Sequence, residues 1–149
     1  MALAPPQNPG ELSRDAESIH QVITLNAAPA RVYSALTDAA QFSSMTKFSM
    51  VPNAAPARIA PRAGGAFWLF NGMILGRHVE LVPDRRLVQA WRAADWPEGH
   101  YSIARFDLSA KGNSTVLTFD HTGFPKGQGD HLVQGWYANY WNPMKKHLG

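Results

Sequence analysis

Six histidines and eleven acidic residues are the side chains with which this chain could hold a metal or move a proton. Their spacing argues against both. The nearest histidines, His121 and His131, are ten residues apart, and no H-x-x-x-H pair occurs to set two imidazoles on one helical face. Asp120 and His121 adjoin on an expected strand, so their side chains point to opposite faces and cannot share one ion. His78 and Glu80, two apart on another expected strand, share a face and make a two-residue ligand set, although a solvated pair is the better reading. There is no cysteine, which excludes disulfides, thiolate metal sites and a cysteine nucleophile. No G-x-S-x-G elbow frames a serine. Gly64-Gly65 and Gly127-Gln128-Gly129 lack the following Lys-Ser/Thr of a phosphate loop and read as turns. No catalytic residue, metal site or cofactor is assigned.

The chemistry that remains is aromatic. Trp68, Trp91, Trp96, Trp136 and Trp141, with four tyrosines and seven phenylalanines, are abundant for 149 residues. Packing a sheet under a helix accounts for such side chains. A cavity beneath that helix, walled by aromatic rings, is the functional alternative.

The elements that must position these rings follow from the pattern. Ile19, Gln21, Ile23 and Leu25 alternate as one face of a strand, and Asn26-Ala27-Ala28-Pro29 breaks it into a helix bearing Val32 and Leu36. A second short helical turn starts between Asp38 and Phe42, and a short strand lies near 57–60. Expected strands 66–70, 74–82, 86–92, 101–108 and 115–121 are separated by Asn71-Gly72, Pro83-Asp84, Trp96-Pro97-Glu98-Gly99 and Lys111-Gly112-Asn113. These short connections predict an antiparallel meander. Leu132, Val133, Trp136, Tyr137, Tyr140, Trp141, Met144 and Leu148 then recur at helical spacing from near Gly127 to Leu148. Leu132, Trp136 and Tyr140 should face the sheet, and Pro143 should kink or break the helix. The expected division is a flexible tail over residues 1–17 and one α+β domain over 18–149.

Bulk composition sets outer limits. The chain is 45% hydrophobic and 17% charged, with a formal net charge of +3, which describes one domain with a core of its own. Arg85-Arg86 and Lys145-Lys146 are isolated basic pairs, so no nucleic-acid partner is expected. The two longest charge-free runs, 63–76 and 131–144, are too short to span a bilayer. No basic patch precedes an apolar stretch at the N-terminus, and a soluble cytoplasmic protein is expected.

Strand, helix, meander and long final helix is an order that resembles the helix-grip fold of the START-like (SRPBCC) superfamily, a curved antiparallel sheet wrapped around a C-terminal helix. Residues 64–102, GGAFWLFNGMILGRHVELVPDRRLVQAWRAADWPEGHYS, narrow the resemblance. They are similar to the C-terminal domain of the activator of heat-shock protein 90 ATPase, above all in W-R-x-x-x-W-P-E-G-H-Y from Trp91 to Tyr101. Thr122-Gly123-Phe124-Pro125 and Gly135-Trp136 match that family's link into its last helix. The superfamily implies a small hydrophobic or aromatic ligand held between sheet and helix. Candidate lining residues are Phe70, Met73, Trp91, Tyr101, Phe119, Trp136 and Tyr140, with His78 and His121 as hydrogen-bonding partners. The family implies instead a stress-response co-chaperone that stimulates a heat-shock protein 90 type ATPase, binding weakly without the separate N-terminal domain its full-length members carry. A cavity enzyme, cyclase or dehydratase, is the third class. Monomer and homodimer are both open.

Overall fold

The computed structural model describes residues 16–149, so all but the last two residues of the expected tail lie outside the described residues. Ala16 and Glu17 belong to the first strand, pairing with Pro125 and Phe124.

Strand β1 (Ala16–Leu25) runs into helices α1 (Pro29–Thr37) and α2 (Ala39–Thr46), and a loop then leads to β2 (Arg58–Ile59). From there the chain is a meander: β3 (Ala66–Leu69), β4 (Ile74–Val82), β5 (Arg86–Ala93), β6 (Ser102–Lys111) and β7 (Ser114–Pro125). The sheet order is β1-β7-β6-β5-β4-β3-β2, antiparallel at every pairing. The helices between β1 and β2 therefore carry the chain from one sheet edge to the other. The C-terminal helix lies across the inner face as α3 (Gly129–Trp136), a π-turn (Tyr137–Trp141) and α4 (Asn142–Leu148). This is the helix-grip arrangement, with seven strands where the pattern suggested about six.

Alternation selects the inner face. Ile23 and Leu25 of β1, Leu87 and Trp91 of β5, Ala104 and Phe106 of β6, and Leu117 and Phe119 of β7 are buried there. Leu132, Trp136, Tyr140, Trp141, Met144 and Leu148 close on them from the helix, while Val133 and Tyr137 stay partly exposed. Gln21 is the polar exception on β1's inner face. Its amide accepts from Trp141 Nε1 at 2.8 Å and donates to the Val133 carbonyl at 3.3 Å, tying the edge strand to the helix.

Two local expectations are corrected. Pro143 does not break the helix: its missing N–H follows a π-turn in which the Asn142 N–H reaches the Tyr137 carbonyl, and the flanking dihedrals stay helical. The segment 122–125 is not a link but the end of β7, paired with β1. Asn71-Gly72 turns the β3–β4 hairpin as expected, through a 3-10 turn (Phe70–Gly72) with Phe70, Asn71 and Gly72 all at positive φ. Gly76 is required by space: a Cβ there would lie 1.9 Å from the Ala90 carbonyl oxygen of the paired strand.

Candidate functional site

A cavity of about 310 Å³ opens between the C-terminal helix, β5 and the loops that follow β3 and β5. Its size is at the lower end of the range of small-molecule sites, roughly 300–1,000 Å³. Phe70, Met73, Trp91, Trp136 and Tyr140 line it, five of the nine residues singled out from the sequence.

The other four lie elsewhere, for reasons of packing. Phe119 and His121 are on the inner face but fully buried, because the Trp136 ring covers both, with centroids 4.3 and 5.5 Å away. His78 is buried under Phe67, with ring centroids 5.4 Å apart. A bulge between His78 and Glu80 breaks the alternation of β4, so His78 points inward while Glu80 is exposed on Arg86. The two do not share a face, which removes the two-residue ligand set, and neither is His78 solvated. Among the described residues no group of three or more His, Cys, Asp or Glu could hold a metal ion. Tyr101 is half exposed and lies over the Arg92 guanidinium, 5.7 Å from its ring centroid.

That guanidinium explains the Trp91–Tyr101 run. Trp91 faces the cavity, so Arg92 must face the opposite, convex side of the sheet. There it is buried and donates to the carbonyls of Ala94, Trp96 and Pro97 at 3.4, 2.9 and 3.1 Å. The loop after β5 is thereby clamped from behind, which sets Asp95 and the buried Trp96 at the cavity wall. His100 completes the clamp, with Nε2 donating to the Gly123 carbonyl at 2.8 Å and its ring 5.8 Å from Trp96. On the opposite side, Asn139 lines the cavity while its side chain accepts from the Met50 N–H at 3.1 Å, holding the loop that bears Val51.

Behind the cavity wall runs a proton-ordered chain. Ser102 Oγ donates its only proton to the Trp91 carbonyl at 2.7 Å, so it accepts from His121 Nε2 at 2.7 Å. His121 Nδ1 then accepts from Trp136 Nε1 at 3.1 Å. Both nitrogens are satisfied only in the neutral imidazole, and burial lowers the His121 pKa to about 3. His121 is a fastener for the Trp136 ring.

Two polar atoms in the wall have no partner: Trp91 Nε1 and the Tyr140 hydroxyl. Burial pushes the Tyr140 hydroxyl pKa well up, and the Trp91 N–H acts in the opposite sense without a hydrogen bond closing on either atom. An unpartnered buried hydroxyl costs about 1–3 kcal/mol. Tyr140→Phe should therefore raise stability by about 1 kcal/mol in urea unfolding. A loss of similar size would mean that the hydroxyl is bonded in solution.

Sequence reasoning missed the rim, which includes Val51, Asp95, Gln128, His131 and Asn139. Apart from Asp95, inside the Trp91–Tyr101 run, none carries a periodic or motif signal, because loops and a helix edge bring them together.

Comparison with known proteins places this architecture. Residues 26–149 match the family model for "Activator of Hsp90 ATPase homolog 1-like protein". The human "Activator of 90 kDa heat shock protein ATPase homolog 1" is 32% identical over 95 residues, 64% of this chain and 28% of its own length. The Saccharomyces cerevisiae "Hsp90 co-chaperone AHA1" is 25% identical over 139 residues, 92% of this chain and 39% of its own. The chain thus spans well under half of either relative. Among solved structures, an HSP90 activator from Plasmodium falciparum superposes with a TM-score of 0.79 at 27% identity, covering 89% of this chain and 96% of that one. The Aha1 dimer from Colwellia psychrerythraea shares the fold with a TM-score of 0.72 at 20% identity, covering 89% and 96%. By the family match across residues 26–149, this chain belongs to the activator of Hsp90 ATPase homolog 1-like family.

Proposed function

We propose that this domain is a co-chaperone module that binds a heat-shock protein 90 type chaperone in the cytosol and raises its ATPase turnover. The observation that carries the reading is the family match over residues 26–149, together with relatives named as activators of that ATPase. The surface suits it: Phe48, Met50 and Met73 are large exposed apolar side chains, Met73 at the cavity mouth and Met50 tethered to Asn139 beside it. Such side chains give a partner apolar area to bury. An isotope-labelled domain titrated with the chaperone should show NMR shifts confined to this region, with weak affinity, since linked modules owe much of theirs to effective concentration. No perturbation at a large excess of chaperone removes the reading.

The cavity favours a second reading, a small hydrophobic or aromatic ligand between sheet and helix. Its walls are mainly apolar and aromatic, with a few polar groups at the rim, the composition common to small-molecule sites. An enzymatic role finds less support, because the carboxylate and the imidazole in the lining, Asp95 and His131, are both exposed.

A further inference from the structure

The charge of the cavity lining has a sign. Asp95 is its one carboxylate, and no lysine or arginine contributes to it. Asp95 makes no ion pair among the described residues and is exposed to whatever enters. The walls add to this polarity, since Phe70, Trp91, Trp96, Trp136 and Tyr140 bring five aromatic rings, whose faces are electron-rich and attract cations. Arg92, the nearest cation in sequence, lies on the opposite side of the sheet with its donors engaged by three carbonyls and its plane over Tyr101. That clamp also fixes the backbone on which Asp95 stands, so the loop itself need not be ordered at the moment of binding.

We propose that the cavity selects organic cations, molecules with an apolar or aromatic body that fills the space between Trp91, Trp136 and Tyr140 and a protonated amine that meets Asp95 at the rim. This rests on the small-ligand reading of the cavity and adds the charge of the ligand to it. An anionic counterpart of the same shape would lose hydration, meet a like charge and find no lysine or arginine among the lining residues.

Three probes of matched shape test it: phenylbutylamine, phenylbutanol and phenylbutyrate, titrated at neutral pH into the full chain and followed by calorimetry. The amine should bind about tenfold more tightly than the carboxylate, with the alcohol between them. Asp95→Asn should remove most of the amine's advantage over the alcohol, the rings keeping the remainder, and leave the alcohol unchanged, with the melting temperature of the variant as the check on folding. Equal binding of all three, or preference for the carboxylate, overturns charge selection while leaving a ligand cavity in place. If no probe saturates, the small-ligand reading falls and the present one with it.

Discussion

Trp136→Ala should destabilise the domain by about 4 kcal/mol, the middle of the range for removing a buried tryptophan. The ring is 2% exposed and packs against Phe119 at 4.3 Å, Tyr140 at 4.2 Å, Trp91 at 5.3 Å and Trp141 at 5.5 Å between centroids. Its truncation removes that packing, joins the new void to the existing cavity, and strips His121 Nδ1 of its donor. Within that total, the unsatisfied buried acceptor accounts for about 1–3 kcal/mol and the loss of apolar contact for the rest. Urea unfolding of the variant measures the sum. A loss under about 1 kcal/mol would mean that the ring borders open space and holds nothing together.

Acid should unfold the domain through the same fastener. His121 is neutral when folded, with its pKa lowered to about 3 by burial, against about 6.5 for an ordinary imidazole. Below about pH 6.5 the unfolded chain takes up a proton that the folded one refuses. The stability this neutral imidazole contributes is therefore fully present above that pH and is lost as pH falls toward about 3. The slope is about 1.4 kcal/mol per pH unit, so the loss reaches about 3 kcal/mol by pH 4. His78, also buried and also lowered by desolvation, acts in the same direction. Denaturation midpoints from pH 8 to 4 for the native chain and for His121→Gln isolate the effect. The two curves should converge as pH falls below about 6.5, and parallel curves would mean that His121 titrates alike in both states.

The parts of this molecule that were legible in its sequence are those governed by local periodicity. Ile23 and Leu25 face inward as the period-two pattern of β1 requires, and Leu132, Trp136 and Tyr140 face the sheet as helical spacing requires. Gly76 marks a close backbone approach that its lack of Cβ alone permits. Phase was lost where alternation is interrupted. The bulge after His78 turned a supposed surface pair into one buried and one exposed residue, and Tyr101, one residue before β6, is outward while Ser102 is inward. Layering was not legible either. Phe119 and Trp136 both point into the interior, but only their superposition makes one the wall and the other the layer behind it. The rim joins residues as distant as Val51, Asp95 and His131, and Arg92, which fixes part of it, works from the far side of the sheet.

Whether this domain by itself acts on a heat-shock protein 90 type chaperone is read from the steady-state ATPase rate of that chaperone across a titration with the purified chain. The rate should rise saturably, the rise being retained by Asp95→Asn, whose side chain belongs to the cavity rim, and reduced when Met50 and Met73 are both changed to serine. A rate that stays at its basal value up to the highest soluble concentration, with the domain folded throughout, would contradict it.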